Sequence, residues 1–150
     1  MARFRYSLQS ILDIQYKLET QARQELATAQ VRVNEEEAKL EALKDRLAQC
    51  FEEAKRLLTG KLDVTKIEEN KALQLALQGY IAAQEENLRI AEEALEMARE
   101  HLKSVILERK TYETLREKAF EEFLQEENRA ESKVVDELVS YTFGQKKQEN

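Results

Sequence analysis

The chain has no proline and no tryptophan, three glycines, one cysteine and one histidine in 150 residues. Without proline, and with so little glycine, nothing punctuates it into short elements. Aromatic residues are 7 % of the total, too few for a thick globular core, so a long, thin seam is expected instead. The lone Cys50 excludes an internal disulfide framework and suits a reducing compartment. His101 has no second histidine or cysteine near it to complete a metal site, and reads as a solvated residue. No stretch approaches the roughly 20 apolar residues of a membrane-spanning helix. The opening Met1–Ser7 carries charge with no apolar run behind it, unlike a signal peptide. No phosphate loop, nucleophile elbow or zinc spacing occurs. The expectation is therefore no catalysis, no cofactor, no metal and no small-molecule substrate.

What the chain does have is helix-forming residues. Glu, Leu, Ala, Lys and Arg make up 87 of the 150, the composition of coiled coils and long helices. The formal charge of −6 is spread with both signs interspersed, as on a solvated helix surface. A nucleic-acid binder would need a basic stripe, so nucleic acid is not an expected partner.

The apolar pattern is explicit. Ala22, Leu26, Ala29, Val33, Glu36, Leu40, Leu43, Leu47, Cys50, Ala54 and Leu57 follow alternating steps of four and three, with Glu36 the single polar member. Such spacing winds one stripe along a helix that must find a partner helix. A second ladder runs through Leu77, Ile81, Gln84, Leu88, Ala91, Leu95, Ala98, Leu102 and Val105, with Gln84 the polar member. The seam is expected to centre on Leu26, Val33, Leu40, Leu43 and Leu47 against Leu88, Leu95 and Leu102. Cys50 reads as a small buried hydrophobe on it. Glu36, inside the acidic triplet Glu35–Glu37, is either part of a solvated face or a polar core residue that sets register.

The expected fold class is all-α, a long antiparallel two-helix coiled-coil hairpin forming a single domain. Helix 1 should run from about 7, with Ser7 as N-cap, to about 59, roughly 80 Å at about 1.5 Å per residue. A turn at 60–64 follows. Gly60 supplies a left-handed cap with Leu62 as its apolar contact, and Thr65 with Glu68 forms a capping box. So short a connection favours antiparallel neighbours. Helix 2 should run from about 65 to about 141, with a soft spot or break at Gly79, and end in a frayed tail at 142–150.

Folding the chain near residues 61–63 places residue i opposite about 124 − i. Both ladders slip in phase. Helix 1 slips around Gln15–Ala22, where after Ile11 the residues Ile14, Leu18, Ala22 and Leu26 come at repeated fours, and helix 2 slips at Arg109. Gln15 should then face Arg109, with the supercoil changing its winding there. Helix 1 is exhausted near residue 4, so Glu121–Tyr141 overhangs without an intrachain partner. An exposed apolar patch of that kind marks a binding surface, and the candidate contacts are Phe123, Leu124, Val134, Val135, Leu138 and Tyr141. Phe120, Phe123 and Leu124 either cap the coiled coil against Phe4 and Leu8 or dock into a partner, with Phe120 on the core side and Phe123 on the contact side.

The two ends resemble one family. Phe4-Arg5-Tyr6-Ser7-Leu8-Gln9-Ser10-Ile11-Leu12 is similar to the opening of the FliJ family of flagellar export proteins, although Ser7 stands where that family favours a basic residue. Tyr112–Phe123 and Asp136-Glu137-Leu138 resemble its C-terminal elements. The resemblance implies an antiparallel coiled coil like the central stalk of rotary ATP synthases. It implies binding to the hexameric flagellar export ATPase, whose assembly and turnover it promotes, and contact with the export gate membrane protein and with export chaperones. The place implied is cytoplasmic, peripheral at the cytoplasmic face of the inner membrane through those partners. The paired termini and overhang would face the ATPase, and the hairpin end the gate. Other readings of the same sequence are a generic cytoplasmic coiled-coil scaffold, the cognate stalk of a virulence type III secretion system, or a holdase-type chaperone.

Overall fold

The computed structural model describes residues 2–149, with side chains through residue 146. It contains two helices, α1 (Gln9–Leu57) and α2 (Val64–Glu149), packed as an all-α hairpin. The turn between them is residues 58–63. Gly60 adopts φ 75°, the left-handed conformation that ends a helix at no steric cost. The rest of the turn differs from expectation. Leu62 is exposed and packs nothing down. Asp63, not Thr65, caps α2: its carboxylate accepts from the Lys66 amide at 3.3 Å and its carbonyl from Ile67 at 3.1 Å. An aspartate one residue before the helix satisfies an orphan amide more directly than a threonine already inside the first turn. At the other end, the entry to α1 is closed by the Gln9 amide on the Tyr6 carbonyl, 3.1 Å, rather than by the Ser7 hydroxyl.

α2 is unbroken at Gly79, and it remains helical to Glu149 instead of ending near Tyr141. With no proline anywhere, nothing in 142–149 obliges the backbone to leave the helix; Asn150 lies outside the described residues.

The chain divides into two compact units. One is Thr20–Lys103; the other joins Met1–Glu19 to Ser104–Asn150. In the Thr20–Lys103 unit, Val33, Ala91 and Leu95 form the buried centre, with Leu26, Ala29 and Leu88 against it. Leu40 and Cys50 are buried, and Leu43, Leu47 and Leu102 are half-buried along the same stripe. The two polar members of the ladders answer each other there. The Gln84 amide donates to the Glu36 carbonyl at 3.0 Å and to the Glu36 carboxylate. That bond, before any charge effect, holds the Glu36 carboxyl below the usual carboxylate range, and Lys39 adds to it. Asn70 donates to the Cys50 carbonyl at 3.1 Å. Both pairs sum to 120 rather than 124, which centres the hairpin on Gly60 itself.

In the unit of the two termini, the expected slips are not where the apolar residues placed them. The buried and half-buried positions of α1 run Leu12, Gln15, Glu19, Ala22, Leu26 in the same threes and fours as the rest of the helix. Ile14 and Leu18, which suggested a slip, stand exposed. α2 likewise keeps the alternation through Val105, Arg109 and Tyr112. The spacing along each helix does not slip there; polar residues simply occupy its seam positions. Arg109 meets Glu19 at 2.6 Å instead of Gln15, one helical turn away. A real change of phase appears later in α2, where the half-buried residues Ala119, Phe123 and Glu127 come at repeated fours.

Candidate partner-binding surfaces

The termini unit builds its surface in three zones along α2. The first is a polar layer. Arg109 pairs with Glu19 and also with Glu113 at 3.0 Å, and the Tyr16 hydroxyl donates to Glu113 at 2.7 Å. Glu113 is held below the ordinary carboxylate range, first by the Tyr16 hydroxyl and then by Arg109. The same bond pushes the Tyr16 hydroxyl up, because its ionisation would set two negative charges together. Gln15 is buried beside this layer, and its Oε1 has no hydrogen-bond partner among the described residues.

The second zone is aromatic. The segment preceding α1 lies back on α2, with the Tyr6 hydroxyl donating to the Tyr112 carbonyl at 3.3 Å. Phe4 packs edge-on to Phe120 at 5.1 Å and against Phe123 at 5.4 Å, and the Arg116 guanidinium sits 5.8 Å over its ring. Both rings thus belong to one intrachain cluster with Phe4, and the division expected between them does not appear in it. Phe123 is half-buried in an intrachain cluster, whereas Phe120 is the more exposed of the two rings. Intrachain packing thus reaches at least Phe123, because the non-helical residues ahead of α1 extend farther per residue than a helix would.

The third zone starts after Glu127. Every residue from 128 to 146 is exposed. Val134, Leu138 and Tyr141 share one face at four-three spacing, and Val135 and Leu138 join Val139, Thr142, Phe143 and Lys146 in a shallow groove. Leu138 is 60 % and Tyr141 65 % exposed. Leu124 is exposed but separated from this face by more than two turns. Of the six candidate contacts, the structure therefore groups Val134, Val135, Leu138 and Tyr141, places Phe123 in the aromatic cluster, and leaves Leu124 between them.

Other residues weighed for chemistry are ordinary. His101 is exposed with Glu25 3.9 Å away, and Cys50 is buried. Among the described residues no cluster of His, Cys, Asp and Glu is placed to hold a metal, and no helix is long and apolar enough to cross a membrane. The sequence reading missed one feature. Arg3 and Arg5 converge with Arg116 around Phe4 in a second groove. The alternation of arginine with aromatic residues at 3–6 was visible; its distant third member was not.

Two long antiparallel helices and an exposed apolar face on α2 define an all-α coiled-coil hairpin. The model of the flagellar FliJ protein family matches residues 4–148, and the chain belongs to that family. Membership puts it among the proteins of flagellar type III export. A solved chain from Chlamydia trachomatis, described as "a putative YscO homolog", has the same fold, with a TM-score of 0.63 over 99 % of this chain and 100 % of that one. At 23 % identity that likeness concerns the fold. No curated relative matches the chain.

Proposed function

We propose that this protein is the non-catalytic, central-stalk-like component of the flagellar type III export ATPase complex. It binds the hexameric ATPase, promotes ring assembly and hydrolysis, and links the ring to the export gate membrane protein and to export chaperones. Its place is the cytoplasm, at the inner membrane only through those partners. The observation that carries the reading is the exposed face of Val134, Leu138 and Tyr141. It extends a paired coil whose termini lie in the same compact unit. Family membership supports the partners, and the coil supports the stalk: a stiff helix pair with an apolar end can engage the subunits of a ring unequally.

Adding the full chain to its ATPase should promote ring formation and raise hydrolysis. A chain ending at Ala130 should retain helicity per residue yet do neither. No effect of the full chain on ring formation or hydrolysis would overturn the proposal. Loss of binding on deleting residues 58–63 instead would show that the opposite end engages the ring.

A further inference from the structure

The groove around Phe4 is chemically unlike the apolar face at 134–143. Arg3, Arg5 and Arg116 line it together with Phe4, Tyr6 and Gln9. In a chain of net charge −6, Arg56, Arg89, Arg99 and Arg109 each meet a glutamate. Arg3, Arg5 and Arg116 meet no carboxylate within ion-pair distance among the described residues. Three like charges that line one groove and form no ion pair repel one another, and an anionic ligand relieves that repulsion.

Arg116 is also held in place. Its guanidinium lies over the Phe4 ring, and its Nε donates to Gln9 Oε1 at 3.1 Å. Gln9 is fixed in turn by its Nε2, which donates to Asp13 at 3.0 Å. With Nε used, the two terminal nitrogens remain as a fork, the arrangement that grips a carboxylate with two parallel bonds. α1 begins beside them with no acidic residue in its first turn, so the positive end of that helix is uncompensated as well.

We infer that this groove docks a short acidic segment of a protein partner, with Arg116 gripping one carboxylate and Arg3 and Arg5 its neighbours. A membrane surface or a nucleic acid fits less well. Gln9 and Arg116 also line the adjoining groove, where Glu113 and Glu117 stand, so a broad polyanion would be pressed against carboxylates. A segment a few residues wide avoids them. The docking surface is distinct from the apolar face and holds whichever protein supplies the acidic segment.

The test titrates the full chain into a fluorescein-labelled short peptide of glutamate, alanine and leucine, read by anisotropy at low salt. Saturable binding that weakens with salt is expected, and the peptide with glutamine for glutamate should not bind. Arg116→Gln should weaken binding about tenfold, and Arg3→Gln or Arg5→Gln about threefold each. Arg116→Lys keeps the charge without the fork and should lose about threefold, which serves as the readout should Arg116→Gln lower helicity. Lys61→Gln, in the turn of the other unit, should change nothing. Equal binding by wild type and Arg116→Gln, no saturable binding, or tighter binding to anionic phosphatidylglycerol vesicles or duplex DNA than to the peptide would overturn the inference.

Discussion

The two compact units use the same heptad spacing for different ends. In Thr20–Lys103 the seam is mostly apolar, and its polar side chains are satisfied within it: Gln84 on Glu36, and Asn70 on the Cys50 carbonyl. In the termini unit the seam turns ionic at Glu19 and Arg109 and aromatic at Phe4 and Phe123, and residues 128–146 are then all exposed. Polar groups that pair internally set register and leave nothing for a partner. Where pairing ends, the apolar face and the arginine groove are left free. One unit is a clamp and the other a set of handles.

The largest effects should come from the two fully buried leucines, one in each unit. Leu77 and Leu12 are each 1 % exposed. Replacing either by alanine removes a packed side chain and leaves a cavity, at about 3 kcal/mol. If the units differ as described, Leu77→Ala should lower the midpoint of the main urea transition followed by circular dichroism. Leu12→Ala should act mainly on hydrogen exchange of residues 2–19 and 104–127. Loss of protection spread evenly over both units by Leu12→Ala would erase the distinction.

Two substitutions in the clamp should act by about 1 kcal/mol in opposite directions. Asn70→Ala removes the bond to the Cys50 carbonyl and the one received from Gln74, and should cost about 1 kcal/mol. Gly79 is helical, and a Cβ there would meet nothing within 4 Å, so Gly79→Ala should stabilise by about 1 kcal/mol. Gly144 is equally open but lies on unpaired helix. Gly144→Ala should therefore raise helicity while leaving the urea midpoint unchanged. A shift of that midpoint by Gly144→Ala would mean that the far end of α2 contributes to the folded core.

Much of this arrangement was legible in the sequence. The four-three ladders gave away the helices, because apolar spacing reports directly on which face is buried, and the short connection at Gly60 gave away their antiparallel pairing. What misled was the rule that polar residues lie off the seam. Gln15, Glu19 and Arg109 are polar and on it, while Ile14 and Leu18 are apolar and off it. Apolar spacing alone cannot tell a slipped seam from a polar layer; only the partner residues distinguish them. The same limit hid the arginine groove. Arg116 lies more than a hundred positions from Arg3 and Arg5, and the three converge only once the segment ahead of α1 folds back on α2. The extent of the bare face was closer to legible, since Val134, Leu138 and Tyr141 repeat the ladder spacing where no facing helix remains.

The smallest effect sits where the clamp gives way to the handles. Tyr16 donates to Glu113 at 2.7 Å, a bond between exposed groups that needs a neutral hydroxyl and a charged carboxylate. The Glu113 carboxyl is depressed in the fold. Its contribution is therefore present above the ordinary carboxylate pKa of about 4.3 and fades as pH falls through the lowered value. The Tyr16 hydroxyl is raised. Its contribution is present below the ordinary tyrosine pKa of about 10 and fades as pH climbs through the raised value. Wild type minus Tyr16→Phe, measured as urea midpoint against pH, should give a low plateau between those limits that declines on both sides. Tyr16→Phe removes one bond of Glu113 and leaves Arg109 to it, so Arg109 and Glu19 should keep the layer closed. A difference curve that is flat from acid to base would mean that the hydroxyl adds nothing, and that the ion pair alone marks the boundary between the two chemistries.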